Sequence, residues 1–244
     1  MVSDTADAIA PAASTSRDPW IGDLFGPDVR TGSLAIEAAD PGALWPDEAA
    51  LTARFAARRR QEFAAGRLCA RPLLAALGAV DPVLLVGAHR APAWPPGVVG
   101  SISHGAGLCV VAVARRGEVR GLGVDVEADA PMRAALRRRV CTDGEARLLA
   151  GADDDEAGHL AKLLFCAKEA VFKCVHPQLG RPLGLRAVEI LLDPGAGRFH
   201  ARALDAAGEG AAPLVDAVEG AWALRAGRVL AGATLRAPEA GAAA

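Results

Sequence analysis

The segment from Asp153 to His176 constrains the fold most, because it is patterned as a helix with one buried face. The residues that recur at helical spacing on that face are Leu160, Leu164, Ala167, Val171 and Cys174. Acidic residues at Asp153 to Glu156 suit a helix N-terminus. We predict that the helix ends at His176, because the residue before a proline disfavours the helical region.

Within this segment, Lys168, Glu169 and Lys173 place two cations and a carboxylate close together. Glu169 and Lys173 lie one turn apart, roughly opposite the apolar face, so both can reach the same ligand. The alternative is an ordinary surface pair that adds about 0.2–0.5 kcal/mol of helix stability. The segment alone favours that alternative, and the choice depends on the rest of the chain.

Length and charge bound the class of protein. The 244 residues, 52% of them hydrophobic, can bury one sizeable core or two closely packed half-domains. The 27 Lys and Arg against 29 Asp and Glu leave a net charge of -2. No global field therefore recruits nucleic acid or an anionic membrane, and any anion site must be local.

The cysteines and the N-terminal sequence indicate a cytoplasmic protein. Five cysteines without a C-x-x-C motif lie mostly in apolar runs, which suits reduced core thiols. The first ten residues lack the basic start and apolar core of an export signal. The longest apolar run, Leu108 to Ala114, is too short to span a bilayer.

The order of elements predicts an α+β fold rather than a doubly wound α/β fold. An Arg-rich helix is expected over Leu51 to Leu77, kinked or divided by Pro72. A hairpin follows at Val98–Ser103 and Leu108–Ala114, and then a strand at Arg120–Glu127. The later elements are helices near 132–140 and from 142 or 143, the Asp153 helix, and strands at 186–192, 197–203 and 220–235.

Two acidic residues stand on one strand in the motif G-V-D-V-E. Asp125 and Glu127 are two residues apart, so their side chains project from the same face of the sheet. Paired carboxylates of this kind, with substrate phosphates and water, are the usual ligands of Mg²⁺. The alternative, which the motif alone does not exclude, is the solvated face of an antiparallel sheet.

The motif S-I-S-H ends a strand just before a turn. Ser103 and His104 can there donate hydrogen bonds to a phosphate. A second interpretation is a serine hydrolase that uses Ser101 or Ser103 with His104, although a nucleophile elbow would be followed by a helix and not by a strand. A purely structural His104 is the third.

Taken together and in this order, G-S-I-S-H, G-V-D-V-E and F-C-A-K-E-A-V-F-K resemble the signature motifs of the 4'-phosphopantetheinyl transferases. The similarity is greatest to the siderophore and nonribosomal-peptide branch, the enterobactin synthetase component D-like proteins. R-R-R-Q-E-F-A-A-G-R-L-C-A-R and A-P-A-W-P-P-G-V-V-G before S-I-S-H also match that branch. The resemblance extends from about Arg54 to Ile190, and three motifs in order are far more specific than one.

The resemblance implies a fold of two similar α+β halves related by a pseudo-two-fold, with the active site in the cleft between them. The halves would span residues 19–121, with the coenzyme A phosphate-binding helix, and 122–236, with the magnesium and catalytic residues. Residues 1–18 are expected to be disordered and residues 237–244 frayed. Because both halves lie in one chain, a monomer would suffice.

By the same resemblance, Asp125, Glu127 and Glu169 would surround a Mg²⁺ ion on the coenzyme A pyrophosphate. The residues expected to bind coenzyme A are Arg59, Arg67, Arg90, Ser103, His104, Asp125, Lys168 and Lys173. The contact assigned to Arg90 falls in a loop that also contains His89, and His89 is the alternative residue for it. The catalytic set would be Glu169, Lys173, Asp125 and Glu127, with Glu169 preferred over Glu127 as general base.

The implied reaction moves 4'-phosphopantetheine from coenzyme A to a serine of an apo acyl or peptidyl carrier protein, leaving adenosine 3',5'-bisphosphate. The carrier would dock through an acidic helix, for which Arg133 and Arg137 to Arg139 form a complementary patch. The competing hypotheses are a catalytically silent coenzyme A-binding module and the serine hydrolase. The sequence does not identify the carrier or the pathway.

Overall fold

The computed structural model describes residues 18–80, 82–87, 90–117 and 119–237, which form two antiparallel sheets and six α-helices. The helices are α1 (Pro46–Leu51), α2 (Ala57–Ala76), α3 (Ala134–Val140), α4 (Asp143–Leu149), α5 (Asp154–Leu179) and α6 (Ala212–Val215). The strands are β1 (Arg30–Ala35), β2 (Val98–Gly105), β3 (Leu108–Arg115), β4 (Val119–Ala128), β5 (Val188–Asp193), β6 (Arg198–Ala203), β7 (Val218–Arg225) and β8 (Arg228–Arg236).

The first sheet has the order β1-β3-β2. Its central strand β3 is an almost continuous apolar run that is buried on both faces. Cys109, Val111 and Val113 join a core with helix α2, whereas Val110 and Ala112 face a second core shared with β4. The alternation of a strand therefore sends one apolar run into two cores.

The second sheet has the order β4-β8-β7-β6-β5, and α5 packs across β4 and β8. Two glycines in β4 permit this contact. A Cβ atom at Gly121 would overlap the carbonyl oxygen of Cys174, and one at Gly123 would overlap that of Ala170. The backbones of β4 and α5 therefore approach more closely than any side chain would allow.

The two sheets meet at their edge strands, β2 and β4. These strands are joined by side chains and not by a backbone ladder. Ser101 Oγ accepts a hydrogen bond from Val124 N at 3.0 Å. At the end of β2, a Cβ atom on Gly105 would overlap the carbonyl oxygen of Val126, so the strands converge there.

The α+β class, the β2–β3 hairpin and the strand that carries Asp125 are confirmed. The prediction for the Arg-rich helix is wrong at its start, since α2 begins at Ala57, and wrong about division, since α2 continues through Pro72. Proline has no N–H to donate, so the Leu68 carbonyl four residues earlier lacks its helical donor. Because Pro72 is exposed, this carbonyl lies on the side of the helix nearest to water.

The predicted end of the Asp153 helix is also wrong. Helix α5 begins after the N-cap Asp153, as expected, but continues past His176 to Leu179. It ends because Gly180 takes the left-handed conformation at φ 68° and donates its N–H to the His176 carbonyl. Strand β1 had no counterpart among the predicted elements.

Three further predictions have a limited outcome. No helix among the described residues is long and apolar enough to cross a membrane. The pseudo-two-fold relation and the boundary between residues 121 and 122 stay predictions. The predictions of a disordered N-terminus, of His89 as an alternative coenzyme A contact and of a frayed C-terminal tail fall on residues 1–17, 89 and 238–244, which lie outside the described part of the chain.

Candidate active site

Lys173 brings the three sequence motifs together. Its Nζ donates to Asp125 Oδ1 at 2.7 Å, to Ser103 Oγ at 2.9 Å and to the Val124 carbonyl oxygen at 3.1 Å. Ser103 Oγ in turn donates to Asp125 Oδ1 at 2.7 Å. One residue from each motif, on β2, β4 and α5, therefore belongs to a single charged hydrogen-bonded cluster.

Asp125 is buried, with 4% of its surface exposed, and its two carboxylate oxygens have different surroundings. Oδ1 accepts from Ser103 and Lys173, whereas Oδ2 has no N–H or O–H donor among the described residues, and the buried thiol of Cys166, a weak donor, interacts with the same carboxylate. A buried carboxylate oxygen without a donor is costly unless a cation or a donor from a ligand completes it. Oδ2 is thus the atom of this cluster best suited to a metal ion.

Glu169 and Glu127 extend the negative charge around Asp125. Burial, followed by the charges of Asp125 and Glu127, raises the pKa of the Glu169 carboxyl, which Lys173 opposes. Glu127 Oε2 accepts from Lys162 Nζ at 3.2 Å. In the described part of the chain, no three His, Cys, Asp or Glu side chains already enclose a metal site. The three carboxylates interact without closing around one point.

His104 connects this cluster to helix α2. Its Nε2 lies 3.2 Å from Arg59 Nη1, and because arginine only donates, Nε2 accepts and Nδ1 carries the proton. Burial, aided by the charges of Arg59 and Lys173, lowers the pKa of His104, so the ring is neutral near pH 7. Ser103 is bonded to Asp125 and Lys173 and not to His104, which disfavours the hydrolase.

Arg67 also lies on α2 but, unlike the exposed Arg59, it is buried. It is 8% exposed, its guanidinium lies 3.7 Å from the centroid of the Phe63 ring, and its Nε donates to the Leu84 carbonyl oxygen at 3.1 Å. Burial lowers the pKa of Arg67 to about 10, so the side chain remains charged at neutral pH. A desolvated cation of this kind is stabilised by an anionic ligand.

A cleft of about 830 Å³ opens beside Lys173. Its walls come from the loop before β2, from β2 itself and from the C-terminal part of α5. The residues that matter for a ligand are Arg90, Trp94, Ser101, Phe172, Lys173 and His176. The cleft is therefore mainly apolar, with cations at Arg90 and Lys173. Arg90 has a left-handed backbone, with φ 65°.

Lys168 points into the protein interior and away from this cluster. Its side chain is 1% exposed, and Nζ donates to Glu145 Oε2 at 2.7 Å and to the carbonyl oxygens of Val140 and Leu185 at 2.8 Å. All three ammonium protons have protein acceptors. The contact of Lys168 with coenzyme A stays a prediction to which this arrangement gives no support.

Sequence reasoning overlooked three buried carboxylates, those of Glu145, Glu48 and Glu189, of which the first two lie next to buried or half-buried cations. Glu145 is the third residue of α4 and forms a capping box with Thr142. The spacing T-x-x-E could have shown that role. Glu48 stands at the corresponding position of α1, after Trp45. Neither position carries a motif that would have predicted burial next to a cation.

Relatives that match most of the chain decide the family. The 4'-phosphopantetheinyl transferase Svp of Streptomyces mobaraensis is 40% identical over 196 residues, which is 80% of this chain and 80% of that protein. This chain belongs to the 4'-phosphopantetheinyl transferase family. The transferase Npt of Nocardia iowensis is 36% identical over 76% of this chain and 86% of its own length. The transferase PptT of Mycobacterium tuberculosis is 35% identical over 79% and 87%.

Two family models divide the site residues of this transferase. The N-terminal domain of 4'-phosphopantetheinyl transferases matches residues 47–114, which contain Arg59, Arg67, Ser103 and His104. The 4'-phosphopantetheinyl transferase superfamily matches residues 121–213, which contain the residues of G-V-D-V-E and F-C-A-K-E-A-V-F-K. The family and the transfer reaction predicted from the motifs are thereby confirmed.

Proposed function

We propose that the chain transfers 4'-phosphopantetheine from coenzyme A to a serine of an apo carrier protein in a Mg²⁺-dependent reaction. The observation that carries the proposal is the buried cluster of Ser103, Asp125 and Lys173 beside the cleft, with Asp125 Oδ2 lacking an N–H or O–H donor among the described residues. A cation and a charged phosphate together would complete this cluster.

The arginines supply the affinity for coenzyme A phosphates. Arg59 is exposed and already turned towards His104, and Arg67 is a buried cation with Nε fixed by Leu84. Arg90 adds a positive charge in the wall of the cleft, where Lys173 supplies another. Planar guanidinium groups suit phosphate because they donate in pairs. The apolar wall formed by Trp94 and Phe172 suits the uncharged pantetheine arm.

Magnesium would be held by Asp125 Oδ2 with Glu169 and Glu127, of which Glu127 now shares its charge with Lys162. When bound, the ion would neutralise charge on the pyrophosphate. Oxygen donors of this kind suit Mg²⁺ better than softer metals. Lys173 holds Asp125 in place from the other side, through Oδ1.

Glu169 would act as the general base. The carrier serine oxygen attacks the phosphorus next to pantetheine, the bond to the bridging pyrophosphate oxygen breaks, and the serine proton moves to a Glu169 carboxylate oxygen. Burial raises the pKa of Glu169, so without a cation on its own oxygens this carboxylate accepts a proton more readily than an ordinary surface carboxylate. Glu127 is the other candidate, although Lys162 pairs with it. Adenosine 3',5'-bisphosphate leaves.

The carrier belongs, in this proposal, to a nonribosomal peptide, polyketide or siderophore pathway. Enterobactin synthase component D of Salmonella typhi is 32% identical over 126 residues, about half of each chain. The three other relatives carry the transferase name alone. We further propose that the enzyme works in the cytoplasm. We also propose that it is a monomer, because one chain supplies every residue of the site.

Intact-mass spectrometry of an apo carrier domain, incubated with the protein and coenzyme A, tests the reaction. A gain of one phosphopantetheine that requires Mg²⁺ and disappears with a chelator is expected. No gain with fatty-acid, polyketide or peptide carriers, while coenzyme A still binds, would leave a silent binding module. Transfer that persists after chelation would refute the metal dependence alone.

The assignment of the base is tested by Glu169→Gln. The variant should lose most of its turnover, by about 10²-fold or more, while coenzyme A affinity measured by calorimetry stays within a few-fold. Glu127→Gln is the matched comparison and should lose less. Near-normal turnover of Glu169→Gln, or a greater loss for Glu127→Gln, would move the base to another residue.

A further inference from the structure

Glu48 on α1 is a buried carboxylate, 1% exposed, to which neither the motifs nor the proposed mechanism gives a role. Its Oε2 accepts from Trp45 N and from Arg71 Nη2, both at 3.1 Å. Its Oε1 accepts from Leu84 N at 2.9 Å, 36 residues along the chain. The first contact caps the N-terminus of α1, the second joins α1 to Arg71 on α2, and the third reaches a different part of the molecule.

Leu84 is held through both of its peptide groups. Glu48 binds its N–H, and Arg67 Nε binds its carbonyl oxygen at 3.1 Å. Leu84 itself is 1% exposed and packs in the α2 core. Glu48 and Arg67 thus hydrogen-bond to the two peptide groups of Leu84. A movement of Leu84 would therefore also move the Arg67 guanidinium.

Leu84 also anchors a loop that forms one wall of the cleft. The Leu85 carbonyl oxygen accepts from Ala93 N at 2.9 Å, and Gly87 N donates to the Ala91 carbonyl oxygen at 2.7 Å. These two bonds flank Arg90 in the chain, and Arg90 and Trp94 both line the cleft. The residue that fixes Arg67 therefore also fixes the start of the segment that contains Arg90.

The charge of Glu48 acts on Arg67 as well. Burial is the main cause that lowers the pKa of Arg67, and the nearby carboxylate of Glu48 opposes it. Arg59, the other phosphate-binding arginine proposed on α2, lowers the same pKa. Glu48 thus helps to keep a desolvated guanidinium charged in a site that already contains another cation.

We propose that Glu48 is a positioning residue for coenzyme A: through Leu84 it orients Arg67 and anchors the loop that carries Arg90 to the cleft. The inference rests on the proposed binding of coenzyme A phosphates by Arg67. Glu48 acts without touching the ligand. Its loss should therefore weaken coenzyme A binding and leave the chemical step at Glu169 and Lys173 almost unchanged.

Glu48→Gln is the most informative change, because it preserves shape and removes the charge. An amide has only one acceptor oxygen, so either Leu84 N or the Trp45 and Arg71 donors must face an NH₂ group. The KM for coenzyme A should rise about tenfold, with kcat within threefold of the unchanged protein. Arg67→Ala should raise the same KM by at least as much.

A double-mutant cycle separates positioning from general stability. If Glu48 acts through Arg67, adding Glu48→Gln to Arg67→Ala should raise the KM less than threefold further. Glu189→Gln is the matched control: Glu189 is also buried and bonded to Thr142 and Arg202, but it lies in the second sheet. The control should lose stability and keep the KM for coenzyme A.

Several results would overturn the inference. An unchanged KM in Glu48→Gln would do so, as would an equal rise in Glu189→Gln or full additivity with Arg67→Ala. An unchanged KM in Arg67→Ala would remove its premise, although transfer to the carrier would still stand. If the protein without any substitution transfers no phosphopantetheine, that result would instead count against the proposed function.

Hydrogen exchange of the unchanged protein tests the same inference should Glu48→Gln fail to fold. The Leu84 amide is the donor to Glu48. If the Glu48–Leu84–Arg67 contacts are coupled to the ligand, coenzyme A should slow exchange of this amide by about tenfold. Exchange at Leu84 that does not respond to saturating coenzyme A would contradict the proposal.

Discussion

Lys168 and Glu169 are neighbours in the sequence, yet their side chains serve different parts of the molecule. Successive residues of a helix point about 100° apart, so Lys168 enters the interior while Glu169 lies close enough to Asp125 to be affected by its charge. Lys168 joins three elements, through Glu145 on α4 and the carbonyl oxygens of Val140 and Leu185. At this position the structure supports an architectural role.

Lys168→Met should therefore act on stability. Removing one partner of a buried ion pair leaves the other charge unpaired, which costs about 3–5 kcal/mol, here at Glu145. Urea unfolding of the variant measures the loss, and adding Glu145→Leu should restore part of it. Arg58→Ala, which breaks an exposed pair with Glu62, is the control and should cost less than about 1 kcal/mol.

A different result would restore the predicted ligand role. If Lys168→Met unfolds at the same urea concentration as the unchanged protein and binds coenzyme A weakly, then Lys168 contacts the ligand in a state other than this one. Burial of Nζ among three acceptors makes the stability effect the expected outcome.

The residues of the site were predictable to the extent that each lay in a local pattern. Ser103, Asp125 and Lys173 are polar residues at fixed places on apolar elements. In the structure their Oγ, Oδ1 and Nζ atoms lie no more than 2.9 Å from one another. The direction of Lys168 was not predictable, because its acceptors come from separate elements. Local spacing identifies a functional segment, but distant contacts decide which of its side chains are used.

The buried thiols give a pH dependence. Burial raises the pKa of Cys174 well above its usual range. The pKa of the thiol is near 9 in the unfolded chain and higher in the folded protein. Its contribution to the free energy of unfolding is therefore fully present well below pH 9 and is lost as the pH rises further. Between pH 8 and 10, the unchanged protein should lose about 1.4 kcal/mol more stability than Cys174→Ala.

Urea unfolding at pH 8, 9 and 10 measures this difference. The comparison between two proteins removes the effect of every other group that titrates in the interval. The packing cost of Cys174→Ala shifts all three values equally and does not affect the slope. Parallel pH profiles for the two proteins would mean that the thiol ionises normally in the folded state.

Among the elements, α5 and β4 are the pair on which the site depends, because they carry Glu169, Lys173 and Asp125. Their bounds illustrate what sequence can predict. Strand β4 was predicted within a residue or two, since its apolar pattern is local. The end of α5 was misplaced because the local bias before Pro177 is weaker than the C-cap at Gly180. Pro72 in α2 was misjudged for another reason, since an exposed proline can stand inside a helix when the carbonyl that loses its partner faces water.

Gly123→Ala tests the close contact of these two elements. The added methyl would overlap the Ala170 carbonyl oxygen, and backbone on both sides cannot move away independently. We expect a loss of more than about 3 kcal/mol, or insoluble protein. Gly184→Ala is the matched control, because its φ of −69° suits alanine and nothing lies within 4 Å of a Cβ atom there.

Soluble yield and urea unfolding measure both glycine variants. Gly184→Ala should stay within about 0.5 kcal/mol of the unchanged protein, and a slight gain is expected from the reduced freedom of its unfolded chain. A Gly123→Ala protein as stable as Gly184→Ala would show that α5 can shift on β4 without penalty. The alignment of Lys173 with Asp125 would then need another explanation.

At the scale of the whole molecule, the site lies where two sheets meet. Ser103 and His104 belong to the first sheet, Asp125 belongs to the second, and α5 brings Lys173 to both. The sequence predicted the hairpin and the strand separately. It could not predict that β2 and β4 lie edge to edge, since that contact depends on a hydrogen bond between residues 23 positions apart.

Ser101→Ala tests this junction between the sheets. Ser101 is buried and its Oγ is the acceptor for Val124 N, so the variant leaves an N–H of the β4 edge without a partner. Such a group costs about 1–3 kcal/mol. Because the Val124 carbonyl also binds Lys173, kcat/KM for carrier modification should fall together with stability. Urea unfolding and the intact-mass assay measure the two effects.

Ser33→Ala separates the junction from the loss of any hydroxyl. Ser33 lies in β1 of the first sheet and donates to Asp18, away from β4. It should lower stability by less than Ser101→Ala and leave kcat/KM unchanged. If both variants lose stability equally and neither loses activity, the bond from Val124 to Ser101 does not align the sheets. The alignment of the site would then depend on Ser103, Asp125 and Lys173 alone.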